Sequence, residues 1–284
     1  MLSQPAQPAQ LARVMAIVNR TPDSFYDKGA TFALEAALSR VDACVADGAD
    51  IIDVGGVKAG PGTTVTAEEE IDRVVPLISA VRGRHPTIGI SVDTWRAGVA
   101  EAAIAAGADL INDTWAGWDP ELVEVAGEHE AGYVCSHTGG ATPRTRPHRV
   151  HYDDVVADVI ADTTALAEHA AACGVPEDRV FIDPAHDFGK NTFHGLEILR
   201  RVDELVATGW PVLMALSNKD FVGETVGRPV GERVAGTLSA TAWAAAHGVA
   251  AFRVHEVRDT VDVIRMTAAI RGSAAPLNTV RGLA

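Results

Sequence analysis

The chain has 284 residues, 47% of them hydrophobic, enough apolar surface for one large buried core. Its 38 Asp and Glu outnumber 24 Lys and Arg, for a formal charge of −14, which argues against a general nucleic-acid binder because phosphate affinity rests on clustered cations. The cysteines Cys44, Cys135 and Cys173 are odd in number and far apart, so neither a disulfide framework nor a paired-cysteine metal site is indicated, and a reducing cytoplasm fits best.

The first ten residues, MLSQPAQPAQ, lack the basic start and apolar stretch of a signal peptide, and no apolar run is long enough to span a bilayer, so no membrane partner is expected. Residues 1–12 read as a disordered tail, 13–272 as one domain, and 273–284 as a second tail. From there, short β-rich runs alternate with amphipathic helical patterns. Strands are predicted at 14–19, 51–54, 88–92, 110–112, 132–136, 180–182, 212–216 and 252–254. The helices between and after them are predicted at about 32–47, 67–84, 97–106, 120–128, 153–173, 192–207, 232–247 and 259–271. The segment ADGADIIDVGG at 46–56 resembles AAGADLINDTWAG at 105–117, each a glycine-ended helix followed by a turn, a strand and a polar strand end. Eight such units with short, buried strands predict an α/β fold of the (β/α)₈ TIM-barrel type rather than a doubly wound sheet.

Barrels of this type build their sites at the C-terminal strand ends, where the sequence places Asn19, Asp53, Asp93, Asn112, His137, Asp183, Ser217 with Lys219, and Arg253 with His255. Any one of these could simply cap the next helix, but polar residues at all eight strand ends are harder to dismiss. Asp93, Asn112 and Asp183 offer acceptors and an amide suited to a flat heterocycle rich in N–H donors. Lys219, Arg253 and His255 carry the opposite chemistry on the last two strands, where an anionic group would be held.

Seven ordered segments carry a family resemblance: MAIVNRTPDSFYDKG at 15–29, DVGGVKAGPG at 53–62, SVDT at 91–94, IND at 111–113, DPAHDFGK at 183–190, SNK at 217–219 and RVHE at 253–256. Together they resemble dihydropteroate synthase, in register from about residue 14 to 271. The resemblance implies joining of a dihydropterin diphosphate to p-aminobenzoate in folate synthesis, with Mg²⁺ as cofactor and pyrophosphate as leaving group. It assigns Asp93, Asn112, Asp183, Phe188 and Lys219 to the pterin, Asn19, Arg253 and His255 to the diphosphate, and Asn19 to the metal. Lys219, Arg253 and His255 would be the catalytic group, a cationic rim that eases pyrophosphate departure. It also implies a homodimer formed through helices of the outer wall.

The departures from the family pattern gather on the second-substrate side. Lys58, Ala59 and Gly60 stand where a hydroxyl and an arginine are usual, and Asn218 and Asp220 stand where an arginine and a serine are usual. The resemblance places the p-aminobenzoate carboxylate near that serine and the helix terminus behind it, so Asp220 is expected to occupy the helix cap and repel it. Ala185 and Asp187 replace glycines, and Arg20, Lys28, Lys58, Arg144, Arg146 and Arg149 are new cations that either redraw the anion site or face water. The pattern is similar to the second, synthase-like copy of actinobacteria, which is regarded as lacking appreciable synthase activity. The alternatives are an active synthase with drifted loops and a binding protein for another phosphorylated small molecule. His137 and His186 match no zinc spacing and read as hydrogen-bonding residues, and Trp95, Trp115 and Trp118 read as packing residues.

Overall fold

A period of two sorts every strand into residues that meet the helices and residues that fill the barrel. In the computed structural model, which describes residues 11–21, 33–145 and 151–281, β1 (Arg13–Asn19) places Val14, Ala16 and Val18 in the main apolar core and Met15 in a separate inner cluster. The pattern repeats in β2 (Ile51–Gly55), β3 (Gly89–Asp93), β4 (Leu110–Asp113), β5 (Gly132–Ser136), β6 (Val180–Asp183), β7 (Leu213–Met214) and β8 (Ala251–Val254). Met15, Ile51, Leu110, Val134, Phe181, Leu213 and Ala251, one from each strand except β3, form the inner cluster. Two residues further along, the inward positions of β2, β4, β5, β6 and β8 turn polar, as Asp53, Asn112, Ser136, Asp183 and Arg253, while those of β1 and β7 stay apolar as Ile17 and Ala215. An apolar plug thus supports a polar mouth.

All strand pairs are parallel, in the order β6-β5-β4-β3-β2-β1-β8-β7. The two ends of this sheet meet through one bridge between Ile182 and Val212, with Ile182 N–H donating to Pro211 O at 2.9 Å, so the barrel is nearly closed. The expected (β/α)₈ architecture is therefore present, with helices between the strands.

The helices are α1 (Leu34–Ala46), α2 (Ala67–Arg84), α3 (Ala97–Ala105), α4 (Glu121–Glu128), α5 (Val155–Ala172), α6 (Thr192–Arg200), α7 (Val202–Val206), α8 (Asp220–Val226), α9 (Val234–Ala246) and α10 (Val257–Ile270). Local chemistry explains their starts. Thr66 and Glu69 form a capping box at α2, and Asp154 accepts from Val156 and Ala157 N–H at α5. The two similar segments place Gly48 and Gly107 at φ +97° and +112°, the left-handed turn that lets each helix double back into a strand.

The structure departs from the sequence expectation in three places. The single helix expected over 192–207 breaks at Arg201, which leaves helical geometry while its guanidinium reaches Asp154 at 2.8 Å and Glu204 at 2.7 Å. Of the strand expected over 212–216, only Leu213 and Met214 form a ladder, with Val212 adding a single bridge to Ile182, and 215–216 do not pair. The unexpected α8 has seven residues, too few to show a helical period, and ends at Gly227 with φ +67°.

Candidate functional site

At the mouth, a cleft is lined by Asn19, Lys58, Ala59, Asp93, Thr114, Asp183, Phe188, Ser217, Lys219, Arg253 and His255, among others. Strand register explains much of this gathering, since Asp93 pairs with Gly55 on one side and Asn112 on the other. Gly55 lets Asn19 lie close over the strand, since a Cβ there would come 2.9 Å from Asn19 Oδ1 and push that side chain aside. Of the expected pterin group, Asp93, Asp183, Phe188 and Lys219 line the cleft directly, while Asn112 is fully buried beside Asp93.

The floor is a charge network rather than a row of separate ligands. Arg253 Nε donates to Asp53 Oδ2 at 2.7 Å and its Nη2 to Asp93 Oδ2 at 2.8 Å. Burial works against the Arg253 charge, but Asp53 and Asp93 outweigh it and raise the pKa. Burial pushes the Asp93 carboxyl up to about 7, with Arg253 pulling it back and Asp53 adding to the rise. Burial likewise raises Asp183, which accepts from Ala185 N–H at 2.7 Å. Lys219 Nζ lies 4.6 Å from the centre of the Phe188 ring, and burial lowers its pKa against the pull of Asp187 and Asp183.

At the rim, Ser217 donates its hydroxyl to Glu256 Oε2 at 2.8 Å, which leaves the oxygen to accept from His255 Nδ1 at 2.9 Å. Asn218 adopts φ +58°, a conformation asparagine tolerates, and is tied to Glu256 Oε1, Thr237 Oγ1 and Arg233. These bonds fix the turn that delivers Lys219 to the cleft.

The loop after β6 holds the main surprise. Asp187, in the left-handed region at φ +69°, accepts from Asp220 N–H at 2.5 Å and Phe221 N–H at 3.3 Å, the first two amides of α8. Burial raises the Asp187 carboxyl, with Lys219 and these amides opposing. Asp220 does not do what the sequence suggested. Lys219 takes the N-cap position, and the Asp220 side chain turns out to Arg233 at 2.9 Å. The signal for Asp187 was its place where a glycine is usual, but its target could not be seen without α8. Lys190 supports the same loop, donating to His137 O and Phe188 O at 2.9 Å each, and burial lowers its pKa to about 7. Gly189 cannot be replaced, because a Cβ there would strike the Thr138 carbonyl.

The loop after β2 folds onto an apolar cap. Val57, Val65, Trp95 and Trp115 form a buried cluster, with Ala59, Ala141 and Phe188 against it. Arg96 holds Val65 O at 2.8 Å and buried Glu70 at 2.5 Å, and Arg144 reaches Thr63 O at 2.5 Å. Trp95 and Trp115 therefore pack edge to face as expected, whereas Trp118 is 55% exposed. Gly60 lies in this loop near the Lys58 side chain. His186 Nε2 donates to Gly195 O at 3.3 Å, and burial drives its pKa down to about 3, so the ring is neutral. His137 pairs with Asp158 at 2.8 Å, and Asp162 lies 3.7 Å away. Lys28, Arg146 and Arg149 lie outside the described residues.

The mouth can present acceptors to a flat polar ring and cations to an anion at its edge. The family described as pterin binding enzyme matches residues 15–255. The chain is 64% identical over 277 residues to a Mycobacterium tuberculosis protein named inactive dihydropteroate synthase 2, covering 96% of this chain and 87% of that one. It is 37% identical over 257 residues to the dihydropteroate synthase of Streptococcus pyogenes, covering 89% and 93%. It superposes on the crystal structure of Yersinia pestis dihydropteroate synthase in a sulfonamide drug complex with a TM-score of 0.88 and 34% identity, covering 93% and 95%.

Proposed function

The chain belongs to the dihydropteroate synthase family of pterin-binding enzymes, and from that premise we propose that it binds a pterin at the barrel mouth with weak or no synthase activity. The observation that carries this is the Asp187 carboxylate on the first two amides of α8. Those amides lie where family resemblance puts the carboxylate of p-aminobenzoate. An incoming carboxylate must displace Asp187 and then lie beside it, which costs both the lost charge-assisted bonds and like-charge repulsion. On the loop after β2, Ala59 and Gly60 replace the usual hydroxyl and arginine, which leaves Lys58 as the loop's cation at the cleft.

The pterin half of the site fits the proposal. Asp93 and Asp183 supply acceptors to ring N–H groups, Lys219 a donor, and Phe188 an apolar face. His255 at the rim would meet the diphosphate. Arg253 contributes from the floor, where it is already shared between Asp53 and Asp93. Mg²⁺ fits the donor set in one way. Asn19 offers an amide oxygen at the cleft edge, and a bound diphosphate would supply the anionic oxygens that a hard cation requires. When bound it would neutralise charge on the diphosphate.

We further propose a homodimer through the outer wall. Val226 and Trp243 are 45% and 50% exposed beside a groove between α6, α8 and α9, and Met266 and Ile270 of α10 are 62% and 75% exposed.

The test is purified protein with the pterin diphosphate, p-aminobenzoate and Mg²⁺. Calorimetric binding of the pterin diphosphate with turnover far below about 1 s⁻¹ is expected. Turnover at about 1 s⁻¹ or faster would establish an active synthase instead, and absence of pterin binding would remove the proposal altogether.

A further inference from the structure

Asp53 is fully buried in the middle of β2 and lies outside the cleft lining, yet three cleft-forming strands converge on it. Ser91 Oγ on β3 donates to its Oδ1 at 2.6 Å, and Arg253 Nε on β8 donates to its Oδ2 at 2.7 Å. Asn112 Nδ2 on β4 stands 3.4 Å from both oxygens. A carboxylate accepts only, so the Asn112 amide has one tolerable orientation, NH₂ toward Asp53. The reverse flip would set the amide oxygen against two carboxylate oxygens. Asn112 Oδ1 is then turned away from Asp53, buried and without a hydrogen-bond partner among the described residues. A buried acceptor left unpaired is costly, and a ligand N–H would satisfy it.

We propose that Asp53 is a positioning residue that locks Asn112 with its oxygen presented as an acceptor and holds Arg253 against Asp93, so that the floor selects a ring edge bearing N–H donors over one bearing acceptors. This rests on the pterin-binding proposal for its probe but not for its geometry. Asp53→Asn keeps the volume but removes the charge that faces Arg253 and turns one acceptor into a donor. The new amide gives its oxygen to the Arg253 guanidinium and turns its NH₂ toward Ser91 Oγ, which must then accept, and toward the Asn112 amide, which loses its single tolerable orientation and becomes free to flip. Asp53→Asn combined with Asn112→Asp repairs the fault, because an aspartate at 112 returns a carboxylate to the same cluster, accepts from the new amide with one oxygen and offers the other to the ligand.

Two measurements test the inference. In ligand-free protein, the Asn112 side-chain NH₂ resonances, identified by their loss in Asn112→Asp, are expected to move on Asp53→Asn, whereas unmoved resonances would overturn the proposal whether or not a pterin binds. In calorimetry with 6-hydroxymethylpterin, Asp53→Asn is expected to weaken binding about tenfold and the double variant to recover most of it. A double variant no better than the single one would overturn the acceptor argument. A wild-type chain that ignores the probe would count against the pterin proposal, and the resonance measurement would still decide the role of Asp53.

Discussion

Asp93, Asn112, Asp183 and Lys219 were legible as a group because each closes an apolar strand in polar chemistry, and a barrel brings strand ends together whatever lies between them. Asp187 and Asp220 show where such legibility stops. Both stand out as acids at unusual positions, but which of them meets the α8 amides depends on a backbone at φ +69° and on the pull of Arg233, neither of which a sequence displays. Lys190 is a second case, since a lysine in a Gly-Lys pair looks exposed and instead lies buried among carbonyl groups. Its pKa is depressed to about 7 in the folded chain, so between about pH 7 and its ordinary value of 10.5 the unfolded chain binds more protons. The stability it contributes is complete above that window and is lost as pH falls toward 7. The wild-type thermal midpoint should therefore rise more steeply from pH 7 to 10 than that of Lys190→Met. Equal slopes in the two proteins would show that the amine is not held in this way.

Among the elements, long amphipathic helices were readable to within a few residues, and the errors fell on short ones. β7 keeps only two ladder residues, α7 five residues and α8 seven, and no period develops over such lengths. The short β7 has a consequence for dynamics, because it leaves the β6–β7 seam closed by one bridge where β1 and β2 share five register pairs. Amide exchange is expected to be faster for residues 180–183 and 213–214 than for β1 and β2, and uniform protection around the barrel would contradict the seam. The Thr66 and Glu69 capping box does more than start α2, since it also ends the loop that carries Lys58, Ala59 and Gly60. Thr66→Ala should lower unfolding stability by about 1 kcal/mol in urea titration, the usual cost of losing such a cap.

At the scale of the whole molecule, an apolar plug and a polar mouth share one barrel, and in the proposed reading the ring-binding half of the mouth is kept while the chain's own carboxylate occupies the second-substrate half. The outer wall adds a separate expectation. If the exposed face of α10 is a dimer interface, Ile270→Glu should shift the sedimentation coefficient from dimer to monomer without unfolding the protein, and a wild-type chain that sediments as a monomer would remove that proposal. The Asp187 contact itself is tested most directly by titrating p-aminobenzoate, in calorimetry, into pterin-loaded wild type and pterin-loaded Asp187→Gly. Freed α8 amides should let the variant bind about tenfold more tightly than wild type, whereas equal affinities would mean that Asp187 is not what stands in the way.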